Sequence, residues 1–291
     1  MLWRGRRESE NVEDARGETP GRGGGGPWLF LMIYRLFGIK GLLIALVVGG
    51  VLWGTGLIHP GRLLSDRPAA DGNSVPNGSA AQQDQLHFVK VVLADTEDVW
   101  TAEFAQHGRK YELPVLKLYS DRVLTGCGEG SAQAGPFYCP EDQKVYIDLT
   151  FYDELAQTFK APGDFAQAYV IAHEIGHHVQ KLLGISDKVS AMRGRPDYNE
   201  YSVRLELQAD FYAGVWANHS KKYLERGDIE EAMRAANAIG DDAIQRKMAG
   251  RVIPHSFTHG TSAQRMRWFN KGFQGGRMED GDTFSISYNS L

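Results

Sequence analysis

The chain has 291 residues, 42% hydrophobic and 23% charged, with a net charge of −4. That length accommodates one folded domain of roughly 200 residues plus additional segments. The mildly acidic balance, without a long basic run, excludes the electrostatic footprint of a nucleic-acid binder.

Residues 1–26 are polar, charge-mixed and Gly-rich, from Arg4, Arg6, Arg7 and Glu8 to the run Gly23–Gly26. They offer little apolar surface and are predicted to form a disordered tail. Residues 27–58 are hydrophobic. Within them, 41–58 reads GLLIALVVGGVLWGTGLI, without a charge. A helix of that length spans about 27 Å, close to the hydrocarbon thickness of a bilayer. The run from Trp28 to Phe37 is interrupted by Arg35 and extends the segment or lies in the interface. A cleaved signal peptide is disfavoured, because about forty residues precede the run and no small-residue cleavage site follows closely. One transmembrane helix at 41–58 is therefore expected. Arg22, Arg35 and Lys40 before it, against Arg62 and Arg67 after it, favour a cytoplasmic N-terminus and an extracytoplasmic, periplasmic C-terminal domain.

Residues 59–84, with Pro60, Pro68, Pro76, Gly72 and Gly78, read as a linker. From residue 85 to 291 the pattern is globular. His87–Gln106 carries apolar residues at helical spacing. Val115–Tyr119 and Lys144–Leu149 are predicted strands, the second with Val145, Ile147 and Leu149 on one face. Asp164 with Gln167 resembles a capping box for a helix ending near Leu183, with Gly184 as its stop. Further helices are predicted from about Glu200 to His219, from near Asp228, and after Thr261, whose partner Gln264 again suggests a capping box.

The chemistry concentrates in His173-Glu174-Ile175-Gly176-His177. Histidines four apart share a helix face, so both imidazoles can reach one zinc ion and leave room for a third ligand and a water. Glu174 lies beside that stripe as general base for the water, whose pKa zinc lowers to about 7. The uncharged neighbours Tyr169 to Ala172 indicate a buried helix, where such polar groups need a reason to be present. His178 is rotated off the stripe and is expected on a polar face. Gln180 and Leu183 exclude the zinc class that continues the motif with Gly and His. The third ligand is assigned to Glu206, with Asp210 four residues on to accept the other N–H of a ligand histidine. A donor for the developing oxyanion is sought among His259, His255, Tyr201, Tyr212 and Arg265. His259 is preferred, in the loop before a capped helix.

Cys127 and Cys139 are too few for a four-thiolate zinc site or a disulfide-dense scaffold. In an oxidising compartment they are expected to form one disulfide. The alternative is a deformylase-like hydrolase in which Cys127 supplies the third ligand.

The stretches WRGRRESENVED from Trp3, GPFYCPEDQKVY from Gly135, AHEIGHHVQ from Ala172, ELQAD from Glu206 and FTHGTSAQR from Phe257 together resemble the bacterial neutral zinc metallopeptidases, single-span membrane proteins. The family often has a cysteine after ELQAD, where this chain has Phe211. The resemblance implies an α+β, zincin-like domain, mainly helical with a small sheet, behind one transmembrane helix. Its Glu-x-x-x-Asp arrangement also looks like that of the glutamate zincins, in support of Glu206. The resulting expectation is a membrane-anchored zinc peptidase acting on peptides or proteins. The competing reading is a zinc-stabilised membrane scaffold without turnover, against which the intact Glu174 argues.

Overall fold

The computed structural model describes residues 1–18 and 79–291. The expected transmembrane helix at 41–58, the rest of the 27–58 segment and most of the linker lie outside the described residues. Among the described residues, no helix is long and apolar enough to cross a membrane.

The last residues of the expected linker are helical. Ser79 accepts a hydrogen bond from the Gln82 amide at 3.3 Å, and the Gln82 side chain accepts one from the Ser79 amide at 2.9 Å. This capping box starts α1 (Ala80–Gln106), seven residues ahead of the predicted span. The helix buries Phe88, Val92, Trp100 and Phe104 in the core, together with the acidic Asp95 and Glu97.

Those acids overturn the disordered-tail expectation for residues 1–18. Arg6 pairs with Asp95, and Arg7 with Glu97 at 3.0 Å. Ser9 Oγ and Asn11 Nδ2 donate to Glu97 at 2.6 and 2.8 Å. The Trp3 ring meets Phe88 edge-on at 5.5 Å, and Val12–Asp14 forms β1. Charges that read as solvated are the counterparts of buried acids on α1, because a buried charge requires a partner.

Both predicted central strands are present: β2 (Val115–Tyr119) and β6 (Lys144–Asp148). They belong to a four-stranded sheet of order β1-β2-β6-β5, with β5 at Phe137–Cys139. Strands β1, β2 and β6 run parallel, with Val12 opposite Leu116 and Leu116 opposite Val145; β5 is antiparallel to β6 and forms an edge. A separate hairpin, β3 (Arg122–Thr125) with β4 (Gly128–Ser131), escaped the sequence reading because its second strand, GEGS, has no apolar alternation. Cys127, at its turn, is bonded to Cys139 at the end of β5, with Cα atoms 5.8 Å apart. That bridge pins the hairpin to the sheet and removes Cys127 as a third metal ligand.

The remaining helices are α2 (Thr150–Gln157), α3 (Asp164–Leu182), α4 (Ile185–Ser190), α5 (Tyr198–His219), α6 (Asp228–Ala238), α7 (Asp241–Ala249) and α8 (Ser262–Gly275). The described domain is thus mainly helical α+β with small sheets, as expected. The Thr261–Gln264 capping box forms at the start of α8. The one proposed at Asp164 does not: Gly163 is the cap residue, and Asp164 instead accepts from the Met1 α-amino group at 2.9 Å. Helices α5 and α8 pack backbone against backbone. A Cβ added at Gly214 would lie 2.0 Å from the Phe269 carbonyl oxygen, and one at Gly272 equally close to that of Phe211. This contact holds α5 between α3 and α8, which positions the site.

Candidate active site

Helix α3 carries His173, Glu174 and His177, and the neighbouring helix α5 carries Glu206 and Asp210. Gly176 lets the two helices meet, since a Cβ there would fall 2.9 Å from the Ala209 carbonyl oxygen. Glu206 precedes that contact by three residues, nearly one turn, and so faces both histidines. Its carboxylate oxygens lie 3.2 Å from His173 Nε2 and 3.4 Å from His177 Nε2. One ligand atom from each residue falls within 4.8 Å of the other two. The imidazoles stand nearly perpendicular, 87° apart, with centroids separated by 4.9 Å.

The outer nitrogens are occupied from behind. His173 Nδ1 lies 2.9 Å from Asp210 Oδ1, and His177 Nδ1 lies 2.9 Å from Gln180 Oε1. Both acceptors fix the Nδ1–H tautomer and leave Nε2 lone pairs converging on one point. Two neutral imidazole donors and one carboxylate suit zinc, with a further position open to water. The residues present therefore fit the ion that the sequence implies. Burial opposes charge on His173, but Asp210 and Glu206 outweigh it and raise its pKa to about 9. Glu206, despite burial, is held well below the usual carboxylate range by His177, His259 and His173. A bound cation supplies the positive charge this carboxylate selects.

A buried network supports the donors. Arg265, from α8, donates Nε to Asp210 Oδ2 at 2.8 Å and an Nη to Oδ1 at 3.0 Å. The Tyr169 hydroxyl donates to the same Asp210 oxygen at 2.5 Å. Gln180, fully buried, passes its Nε2 hydrogens to the Leu205 carbonyl at 2.6 Å and to Gln208 Oε1 at 3.1 Å. Sequence reasoning missed Gln180, although its position three residues after His177 places it on the same helix face.

Glu174 lines a cleft of about 550 Å³ beside the ligand triad. Burial pushes its carboxyl pKa up, while His173 and His177 pull against that. Of the five oxyanion candidates, His259 and Arg265 line the cleft. Arg265 is committed to Asp210. Tyr212 is buried against Trp100 at 5.5 Å, and Tyr201 lines a separate apolar pocket. His255 lies in a short turn outside the cleft lining. His259 is held by Asp241, the first residue of α7: Nδ1 lies 3.2 Å from Asp241 Oδ1, and the His259 amide donates to Oδ2 at 2.6 Å. The nearby Glu206 and Asp241 raise the His259 pKa. Nothing in the sequence links Asp241 to His259, because their pairing exists only once α7 and the following loop have folded together.

His178 is off the ligand stripe, as expected, but it is fully buried rather than on a polar face. Its Nε2 lies 2.7 Å from the Glu112 carbonyl and donates to it, while Nδ1 accepts from the Tyr138 hydroxyl at 3.0 Å. Burial accordingly lowers its pKa. The contact ties α3 to β5, whose Phe137 and Tyr138 form one wall of the cleft.

The family described as "Putative neutral zinc metallopeptidase" matches residues 1–284. The chain is 47% identical to "Uncharacterized protein YpfJ" of Escherichia coli (strain K12) over 292 residues, covering 99% of this chain and 100% of that protein. It is 40% identical to "Uncharacterized protein Rv2575" of Mycobacterium tuberculosis (strain ATCC 25618 / H37Rv) over 248 residues, covering 79% and 84% of the two chains. No solved structure matches it.

Proposed function

The chain belongs to this neutral zinc metallopeptidase family, and on that premise we propose that it is a membrane-anchored zinc endopeptidase. The observation that carries the reading is the convergence of His173 Nε2, His177 Nε2 and the Glu206 carboxylate beside Glu174 in an open cleft. Zinc held by these three residues would supply a Lewis acid able to lower the pKa of a bound water to about 7.

The chain's own residues do the rest. Glu174 accepts a proton from the attacking water at its carboxylate and returns it to the leaving amine nitrogen. Asp241 orients His259 through Nδ1 and, with Glu206, favours its doubly protonated imidazolium, whose Nε2–H can donate to the oxygen that becomes negative. Among the described residues, β5 is an edge strand of the sheet and lies beside the cleft. An extended peptide adding to that edge would present internal bonds, not termini, which supports endopeptidase action.

The membrane assignment rests on the uncharged run at 41–58. The Cys127–Cys139 bridge supports a catalytic domain that faces an oxidising compartment. The test is digestion of an unstructured protein substrate by detergent-purified full chain. Activity that disappears in Glu174→Gln while one zinc per chain remains supports the reading. Unchanged activity in that variant overturns it. Zinc bound without any hydrolysis by the native chain would favour a scaffold.

A further inference from the structure

Residues 1–17 and 79–291 belong to one folded unit, yet the uncharged run at 41–58 lies between them in sequence. Their contact is extensive. β1 pairs in parallel with β2, with Val12, Glu13 and Asp14 opposite Leu116, Lys117 and Leu118. The Leu116 amide donates to the Asn11 carbonyl, and the Ala15 amide to that of Leu118, both at 2.9 Å. Buried Asp95 and Glu97 on α1 take their cationic partners from Arg6 and Arg7, and Glu97 also accepts from Ser9 and Asn11.

A single crossing would place residue 18 and residue 79 on opposite faces of the bilayer. The three arginines Arg4, Arg6 and Arg7 could then not reach α1, and β1 could not reach β2. A second copy inserted in the same orientation would offer no escape, since its tail would lie on the far side too. Without its tail, the domain would keep buried carboxylates with no cation.

We propose that the N-terminal residues that carry β1 and the catalytic domain share one compartment, on the same side of the membrane that anchors the chain. This rests on the membrane anchorage argued above. It replaces the expected arrangement of a cytoplasmic N-terminus and an extracytoplasmic catalytic domain. The Lys and Arg residues on the two flanks then no longer report orientation by their difference, because both flanks lie on one side.

The experiment uses the full chain in bacterial membranes, with one added cysteine at exposed Glu10 or, separately, at exposed Ser287. A membrane-impermeant maleimide is applied to sealed vesicles before and after permeabilisation. The two positions are expected to label together, both before or both after. Labelling of one before and the other only after overturns the proposal. A second variant, Glu13→Cys with Lys117→Cys, joins register partners whose native side chains meet at 3.8 Å. It is expected to give an intramolecular dibromobimane cross-link in intact membranes, and its absence there counts against the shared compartment. Carbonate washing distinguishes the failure of the anchorage: a chain released by carbonate removes the membrane reading itself.

Discussion

Asp210 and Arg265 form a two-pronged ion pair that is almost wholly removed from solvent, and the same carboxylate steers His173. One side chain therefore serves both the fold and the metal donor. Asp210→Asn should leave Arg265 buried without a counter-charge, at a cost of about 3–5 kcal/mol. It should also weaken zinc binding by roughly 10–100-fold, because His173 loses its anionic anchor. Denaturant unfolding and zinc competition against a chelator check the two effects. Native values in both would remove Asp210 from this role.

Gln180 should behave differently. Gln180→Leu keeps the volume roughly constant but takes away the acceptor at His177 Nδ1, so zinc affinity should fall by about 10-fold or more. Gln180→Glu should restore much of it, since a carboxylate oxygen can accept the same hydrogen. Equal zinc affinity in all three proteins would mean that His177 is oriented by packing alone.

His259→Ala should retain zinc and lower kcat by on the order of 10²-fold, as removal of an oxyanion donor does. Asp241→Asn should give a smaller loss in the same direction, because the imidazole remains but is less firmly oriented. Steady-state kinetics at saturating peptide separate these cases. A normal kcat for His259→Ala would turn attention to Arg265, the other candidate on the cleft.

The ligand set was legible because every part of it follows helical periodicity. His173, Glu174 and His177 lie on one helix, Glu206 and Asp210 lie four apart on another, and local spacing sufficed. What sequence could not show was partnership at long range. Asp241 lies eighteen residues from His259 in another element, and Arg265 meets Asp210 only across the Gly214–Gly272 contact. The tail was misread for the same reason: Arg6 and Arg7 look solvated until Asp95 and Glu97 are found buried on α1. The early start of α1 was a different kind of miss. The Ser79–Gln82 capping box was readable, but the neighbouring prolines and glycines drew that stretch into the linker.

Loss of the disulfide should be felt in stability rather than in zinc content. Its cysteines are separated by 12 positions, for which the loop-entropy model gives about 3 kcal/mol. Cys127→Ser with Cys139→Ser should therefore unfold at lower denaturant while keeping its metal. An unchanged midpoint would show that the hairpin β3–β4 is held by packing alone.

Gly214→Ala tests the helix crossing behind the site. The added methyl would meet the Phe269 carbonyl at 2.0 Å, so α5 and α8 must separate. A loss of about 1–3 kcal/mol or more is expected from such overpacking. Because Arg265 rides on α8, zinc affinity should fall with the melting temperature. A stable variant with normal zinc binding would contradict the close approach.

The parallel pairing of β1 with β2 also sets a timetable for biosynthesis. Val12 emerges from the ribosome early, but its partner Leu116 follows only after roughly a hundred further residues. At about 5–20 residues per second, the first strand waits on the order of 5–20 s with its hydrogen-bonding edge open. During that interval Arg6 and Arg7 are without their partners Asp95 and Glu97, which are synthesised only with α1.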